Sequence, residues 1–157
     1  MDRLRKTLIL VAVVAVPAAA HSTFAPQDEL CFASGSATYK VSAKAAAPDY
    51  RIRIDNNAAR PDLRIELVDR PEIADFALAD DFSAPHGNAC RSPAPMKIVR
   101  IDNEARTADV TVSFGRGDTI PDLRIYVHSM RYSHQDVAAV LAALWKAQQS
   151  LKLAERR

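Results

Sequence analysis

The segment Arg60-Pro61-Asp62-Leu63-Arg64-Ile65-Glu66-Leu67-Val68-Asp69 sets the reading of this chain, because versions of it recur along most of the sequence. Asp49, Asp62 and Asp75 stand 13 residues apart and each opens a short alternating run; Asp109 and Asp122 repeat the spacing after one interruption. The two blocks also match each other. Sliding residues 47–81 forward by 47 sets Arg53-Ile54-Asp55-Asn56 on Arg100-Ile101-Asp102-Asn103, Asp62 on Asp109 and Asp75 on Asp122. Repetition of this kind reports architecture more directly than propensity does.

Within each run apolar and charged residues alternate with period two. That places Tyr50, Ile52, Ile54, Leu63, Ile65 and Leu67 on one face of half-buried strands, with the charges in solvent. The same pattern marks strands at 76–78, 99–101, 110–114 and 123–127, and a degenerate first repeat around Tyr39 and Val41. Asp55-Asn56-Asn57, Asp69-Arg70-Pro71 and Asp102-Asn103 read as turns. Residues 80–95, rich in proline and glycine, read as a loop splitting the array. After Arg131 the period becomes helical. Ser133 with Asp136 forms a capping-box variant, and Val137, Val140, Leu141, Leu144 and Leu151 predict a helix from about His134 to about Leu151 with Trp145 at the edge of its apolar stripe. The fold class is thus mainly β (α+β overall): an array of 13-residue β-repeats in two blocks, residues 31–130, followed by one C-terminal α-helix and a basic tail, 133–157.

A strand of seven or eight residues plus a link of five or six fills one 13-residue step. Links that short make hairpins, whereas a return to a parallel neighbour takes roughly a dozen residues. The repeats are therefore expected to form an antiparallel meander, to turn corners into another sheet as a solenoid does, or to follow an unusual path. Here a family resemblance bears on the choice. Val68-Asp69-Arg70-Pro71-Glu72-Ile73-Ala74-Asp75-Phe76 and Ile101-Asp102-Asn103-Glu104-Ala105-Arg106-Thr107-Ala108-Asp109-Val110 resemble the septoil-knot domain, over roughly residues 36–128. That resemblance implies a compact, strand-rich fold with a deeply knotted backbone, and it brings no catalytic or binding residues. Arg70 stands where the family favours an aromatic, and the 80–95 insertion is a further departure.

The first 20 residues have the form of an export signal: Arg3, Arg5 and Lys6, the apolar run Leu8 to Val16, then Ala18-Ala19-Ala20. Cleavage near Ala20 would make the protein periplasmic or secreted, with no membrane span in the mature chain, since the apolar run is shorter than the ~20 residues a bilayer needs. The chain holds 21 Lys plus Arg and 19 Asp plus Glu; removing Arg3, Arg5, Lys6 and Asp2 leaves 18 of each. A formally neutral mature chain argues against nucleic acid as a partner. Cys31 and Cys90, the two cysteines, are expected to pair in an oxidising compartment.

Five arginines, Arg51, Arg53, Arg64, Arg100 and Arg124, fall at outward positions of the alternating runs and form a candidate ligand face for an acidic glycan or a protein of the cell envelope. The competing reading is a solvated sheet face, which Glu66 shares. Asp62, Asp75, Asp109 and Asp122 are expected to bond their own backbone amides rather than a metal, because calcium-binding turns need glycines that most of these turns lack. The four histidines, His21, His86, His128 and His134, lack zinc-site spacing, no nucleophile elbow or phosphate loop is present, and no cofactor is expected. The sequence thus points to an exported, non-enzymatic structural or binding module. A small envelope hydrolase, or an inhibitor presenting its His86–Arg91 loop, is the alternative.

Overall fold

The computed structural model describes residues 31–34, 36–80, 90, 93–115 and 120–155. Residues 1–30, on which the expected export signal falls, His86 with most of its loop, residues 116–119 of one link and Arg156-Arg157 lie outside the described residues. Eight strands, β1 (Cys31–Ser34), β2 (Ala37–Val41), β3 (Tyr50–Ile54), β4 (Leu63–Leu67), β5 (Phe76–Ala79), β6 (Met96–Ile101), β7 (Val110–Gly115) and β8 (Leu123–His128), precede one helix, α1 (His134–Glu155). The degenerate first repeat is thus a hairpin, β1 and β2, and β6 begins three residues before the alternation made it legible.

All eight strands join one curled sheet in the order β1-β2-β6-β3-β7-β4-β8-β5. Apart from β1 with β2, every pair is parallel and joins a strand of the first block to a strand of the second. Neither a meander nor a corner-turning solenoid occurs: the blocks interleave. Register explains how short links manage this. Ile54 at the end of β3 and Leu63 at the start of β4 both face Val112. Val41 and Tyr50 likewise share Val99, Ile101 and Val110 share Ile52, and Leu67 and Phe76 share Ile125. Within each block, β2 to β5 and β6 to β8, a strand begins at the level where its predecessor stops. The link 55–62 therefore has only to step sideways across β7, about 9.6 Å at ordinary strand spacing. The long parallel crossover exists to regain the starting level, and here no level is lost.

The aspartates that open the strands hold this stagger. Asp62 donates its N–H to the Thr111 carbonyl at 2.8 Å while its Oδ2 accepts the Thr111 N–H at 2.7 Å. Asp75 does the same with Arg124, Asp109 with Arg51, and Asp122 with Arg64. These carboxylates thus serve the facing strand of the other block, not their own turns. A strand that starts late leaves its neighbour with an open amide, and the carboxylate closes it. Asparagine does the reciprocal work where strands stop: Asn56 Oδ1 accepts the Phe114 N–H and Asn103 Oδ1 that of Ile54, each at 2.9 Å. The expected local Asx bond occurs at Asp55, which accepts from the Asn57 N–H.

One face of the sheet packs on α1. Ile52, Ile65, Val99, Val110, Val112 and Ile125 are fully buried there with Val137, Val140 and the alanines 138, 139, 142 and 143. Consecutive helix residues can all be buried only if the sheet wraps the helix, and the small Ala side chains let it approach closely. The capping box forms as the spacing predicts: Asp136 Oδ2 accepts from the Ser133 N–H and hydroxyl, and the Asp136 N–H donates to Ser133 Oγ. The helix runs beyond the predicted stop, however. Its end overhangs the sheet, so Leu151 is 65% exposed rather than part of a packed stripe. Cys31 and Cys90 form a disulfide that ties β1 to the stretch before β6. Among the described residues no helix is long and apolar enough to cross a membrane.

Candidate functional site

All five arginines emerge on the sheet face opposite α1. Arg51 faces Arg100 across β3 and β6, Arg53 faces Thr111, Arg64 faces Ser113, and Arg124 faces Glu66. Because neighbouring strands are staggered, these positions form a diagonal stripe, not a straight row. Like charges directly opposite each other are unfavourable, and the Arg51–Arg100 juxtaposition is relieved by Asp102, whose Oδ2 lies 3.2 Å from Arg100 Nη2 and 3.9 Å from Arg51 Nε. Arg124 Nε meets Glu66 Oε2 at 3.1 Å.

The arginine stems do not stand free in solvent as the alternation implied. Arg100 donates to the Ala45 carbonyl in the link before β3, Arg53 donates to Thr111 Oγ1, and the Nε atoms of Arg51, Arg53 and Arg100 are buried without an acceptor. The stems fill the space between strands and links, and they cover Thr111 and Ser113, only 8% and 9% exposed. Arg53 and Arg64 have no carboxylate partner among the described residues.

At the other end of the sheet Lys97 Nζ bonds Asp49 Oδ1 at 3.1 Å, and Asp49 Oδ2 accepts the Ile98 N–H. That amide first, then the Lys97 ammonium, holds the Asp49 carboxyl below its ordinary range, and the Asp49 contact raises the Lys97 ammonium. Burial pushes the Tyr39 phenol up beside Tyr50, with Lys97 opposing. The two histidines among the described residues have ring contacts: His134 sits edge-on to Phe114 and His128 stacks on Tyr126. Ser129 Oγ donates to Asp80 Oδ2 and accepts from the Arg131 and Tyr132 amides. With its hydrogen bonds so committed it locks the turn into α1.

The concave site lies on the helix face. A cleft of about 390 Å³ between α1 and the starts of β4 and β8 is lined by Leu63, Leu123, Leu141, Leu144 and Trp145, with Asp122 and Gln148 as its polar groups. Its origin is in the packing. The alanines pull α1 onto β6, β3 and β7, which leaves the larger flank of the helix standing off β4 and β8. Asp122, one of the lining residues, spends Oδ2 on the Arg64 amide and keeps Oδ1 without a partner among the described residues. Ile120, 92% exposed, lies two residues from Asp122. Sequence reading put Trp145 at the edge of the stripe, but Leu63 and Leu123 looked like ordinary core positions. Leu63 is indeed buried in the core and Leu123 packs against it, so both line the cleft with one side while serving the core with the other.

No family model, curated protein or solved structure matches the chain.

Proposed function

We propose that this protein is an exported, non-enzymatic binding module whose site is the cleft beside α1. The observation that supports this is an apolar concavity with Trp145 on its wall and few polar groups, Asp122 and Gln148. Its volume falls at the small end of ordinary ligand sites, roughly 300–1,000 Å³. Such a lining takes an apolar group that also carries a donor or positive charge for the free Asp122 oxygen. Trp145 is the single tryptophan, so its emission reports directly on the cleft. Anilinonaphthalene sulfonate added to the dilute protein is expected to quench Trp145 by energy transfer, and Leu144→Asp to abolish the uptake while leaving the far-UV spectrum unchanged. Equal dye uptake by Leu144→Asp would refute the assignment.

A second reading keeps the arginine stripe as a ligand face for an acidic glycan, supported by Arg53 and Arg64 having no carboxylate partner among the described residues. Retention on heparin at physiological salt that is lost on Arg53→Ala plus Arg64→Ala would favour it. Flow-through of the unmodified protein would leave the stripe as framework.

We also propose that the backbone is knotted, as the septoil-knot resemblance implies. The support is that each link straddles a strand of the other block, with partners 49 or 58 residues apart, as at Tyr50–Val99 and Thr38–Met96. Pulled from its ends after reduction, a knotted chain extends to less than the ~3.4 Å per residue of a free one. Full extension would exclude the knot.

A further inference from the structure

From the cleft and the end of α1 together we infer that the protein forms a two-fold dimer in which the overhanging end of α1 from each copy fills the cleft of the other. This rests on the cleft being a binding site and names its occupant. The cleft and the overhang are consecutive on one helix: Leu141, Leu144, Trp145 and Gln148 line the cleft, and residues 148–154, exposed throughout, continue past the sheet. Leu151 and Leu153 are 65% and 63% exposed there. A surface in which the socket and the plug adjoin is self-complementary, which is what an isologous interface requires.

The register follows from helix geometry. Residues 141, 144, 148 and 151 recur at the three- and four-residue spacing of a coiled-coil seam, and Trp145 and Lys152 flank it. A two-fold axis through Gln148, with the helices antiparallel, sets Trp145 of one copy against Leu151 of the second. Leu144 then lies against Lys152, and each Gln148 meets its own copy, an amide that both donates and accepts. Charge agrees with this placement. Lys152, in the last part of the helix, makes no ion pair among the described residues, and Asp122, whose Oδ1 has no partner among them, lines the cleft together with Leu144. The exposed Ile120 extends the apolar rim on the sheet side. One helix end per copy makes an interface at the small end of specific ones, so association is expected at micromolar to millimolar concentration.

Sedimentation equilibrium over that range is expected to show a reversible dimer, with dye uptake by the cleft falling as the dimer forms. Leu151→Asp, at a position exposed in the single chain, is expected to weaken association at least about tenfold. Lys152→Glu, which sets two carboxylates together, is expected to weaken it by roughly 1.5- to fivefold. Gln148→Cys on the axis would give a disulfide-linked dimer on oxidation, and Lys146→Cys would not. A protein that stays monomeric throughout, or a dimer indifferent to Leu151→Asp, overturns the dimer. Dye uptake by the Leu151→Asp monomer would in either case leave the cleft standing as a site, whereas loss of dye uptake from the unmodified monomer would remove the reading beneath it.

Discussion

Asp62 and its equivalents each close a two-bond ring with one residue of the facing strand, and that arrangement makes the carboxylate count twice, as a charge and as a register mark. Asp62→Ala is expected to lower stability by roughly 1.5–3 kcal/mol, the range for a hydrogen bond to a charged acceptor. Asp62→Asn, which keeps an acceptor in place, should cost less; urea midpoints of the two variants test this. At Asp49, whose carboxylate likewise accepts a facing-strand amide, that of Ile98, the bond has a pH signature. A carboxyl held below its unfolded value contributes fully above that value, and the contribution is lost as pH falls through the folded one. Lys97, raised by the contact, contributes fully below its unfolded value and loses the contribution as pH climbs through the folded one. The pair therefore stabilises across the span between the ordinary aspartate and lysine ranges. Asp49→Asn is expected to flatten the acid limb of a stability-against-pH curve. The regular spacing of these aspartates was plain in the sequence, but their partners were not. Asx chemistry is local by default, and nothing in a single strand tells that its neighbour begins late.

For the single elements, strand identity was legible almost residue for residue, because alternation in Tyr50–Ile54 and Leu63–Leu67 is a direct image of a two-faced strand. The helix was legible at its start through Ser133 and Asp136 and illegible at its end, where it projects beyond the sheet and packing no longer constrains the sequence. Ser133→Ala is expected to cost about 1 kcal/mol through loss of the cap, read from thermal or urea unfolding. The alanine face of α1 has a sharper test. Ala142 is fully buried against the sheet, so Ala142→Leu should destabilise by about 1–3 kcal/mol through overpacking. The same change should alter the cleft, since it would lift the helix off β6 and β7. The cleft itself could not be read from the sequence: it comes from the difference in size between two flanks of one helix, seen only once the sheet curls around it.

At the scale of the whole molecule the decisive property is that parallel partners always come from opposite halves of the chain. Sequence patterns identify strands by their faces, whereas pairing runs along their edges, so interleaving left no mark that alternation could report. The Cys31–Cys90 bond closes a loop of 59 residues and is expected to contribute about 4 kcal/mol on the chain-entropy account. Reduction, or Cys31→Ser with Cys90→Ser, should lower the urea midpoint accordingly. With the Cys31–Cys90 bond reduced, two fragments cut between residues 80 and 93 should each lose the parallel sheet by circular dichroism, keeping at most the β1–β2 hairpin, because β3, β4 and β5 pair only with β6, β7 and β8. Pairings so distant in the chain also make for slow folding. During synthesis this has an outcome of its own. Everything up to Asp80 leaves the ribosome before any strand it will pair with in parallel exists, so the nascent chain must stay open, strand edges bare, until its second half has been made.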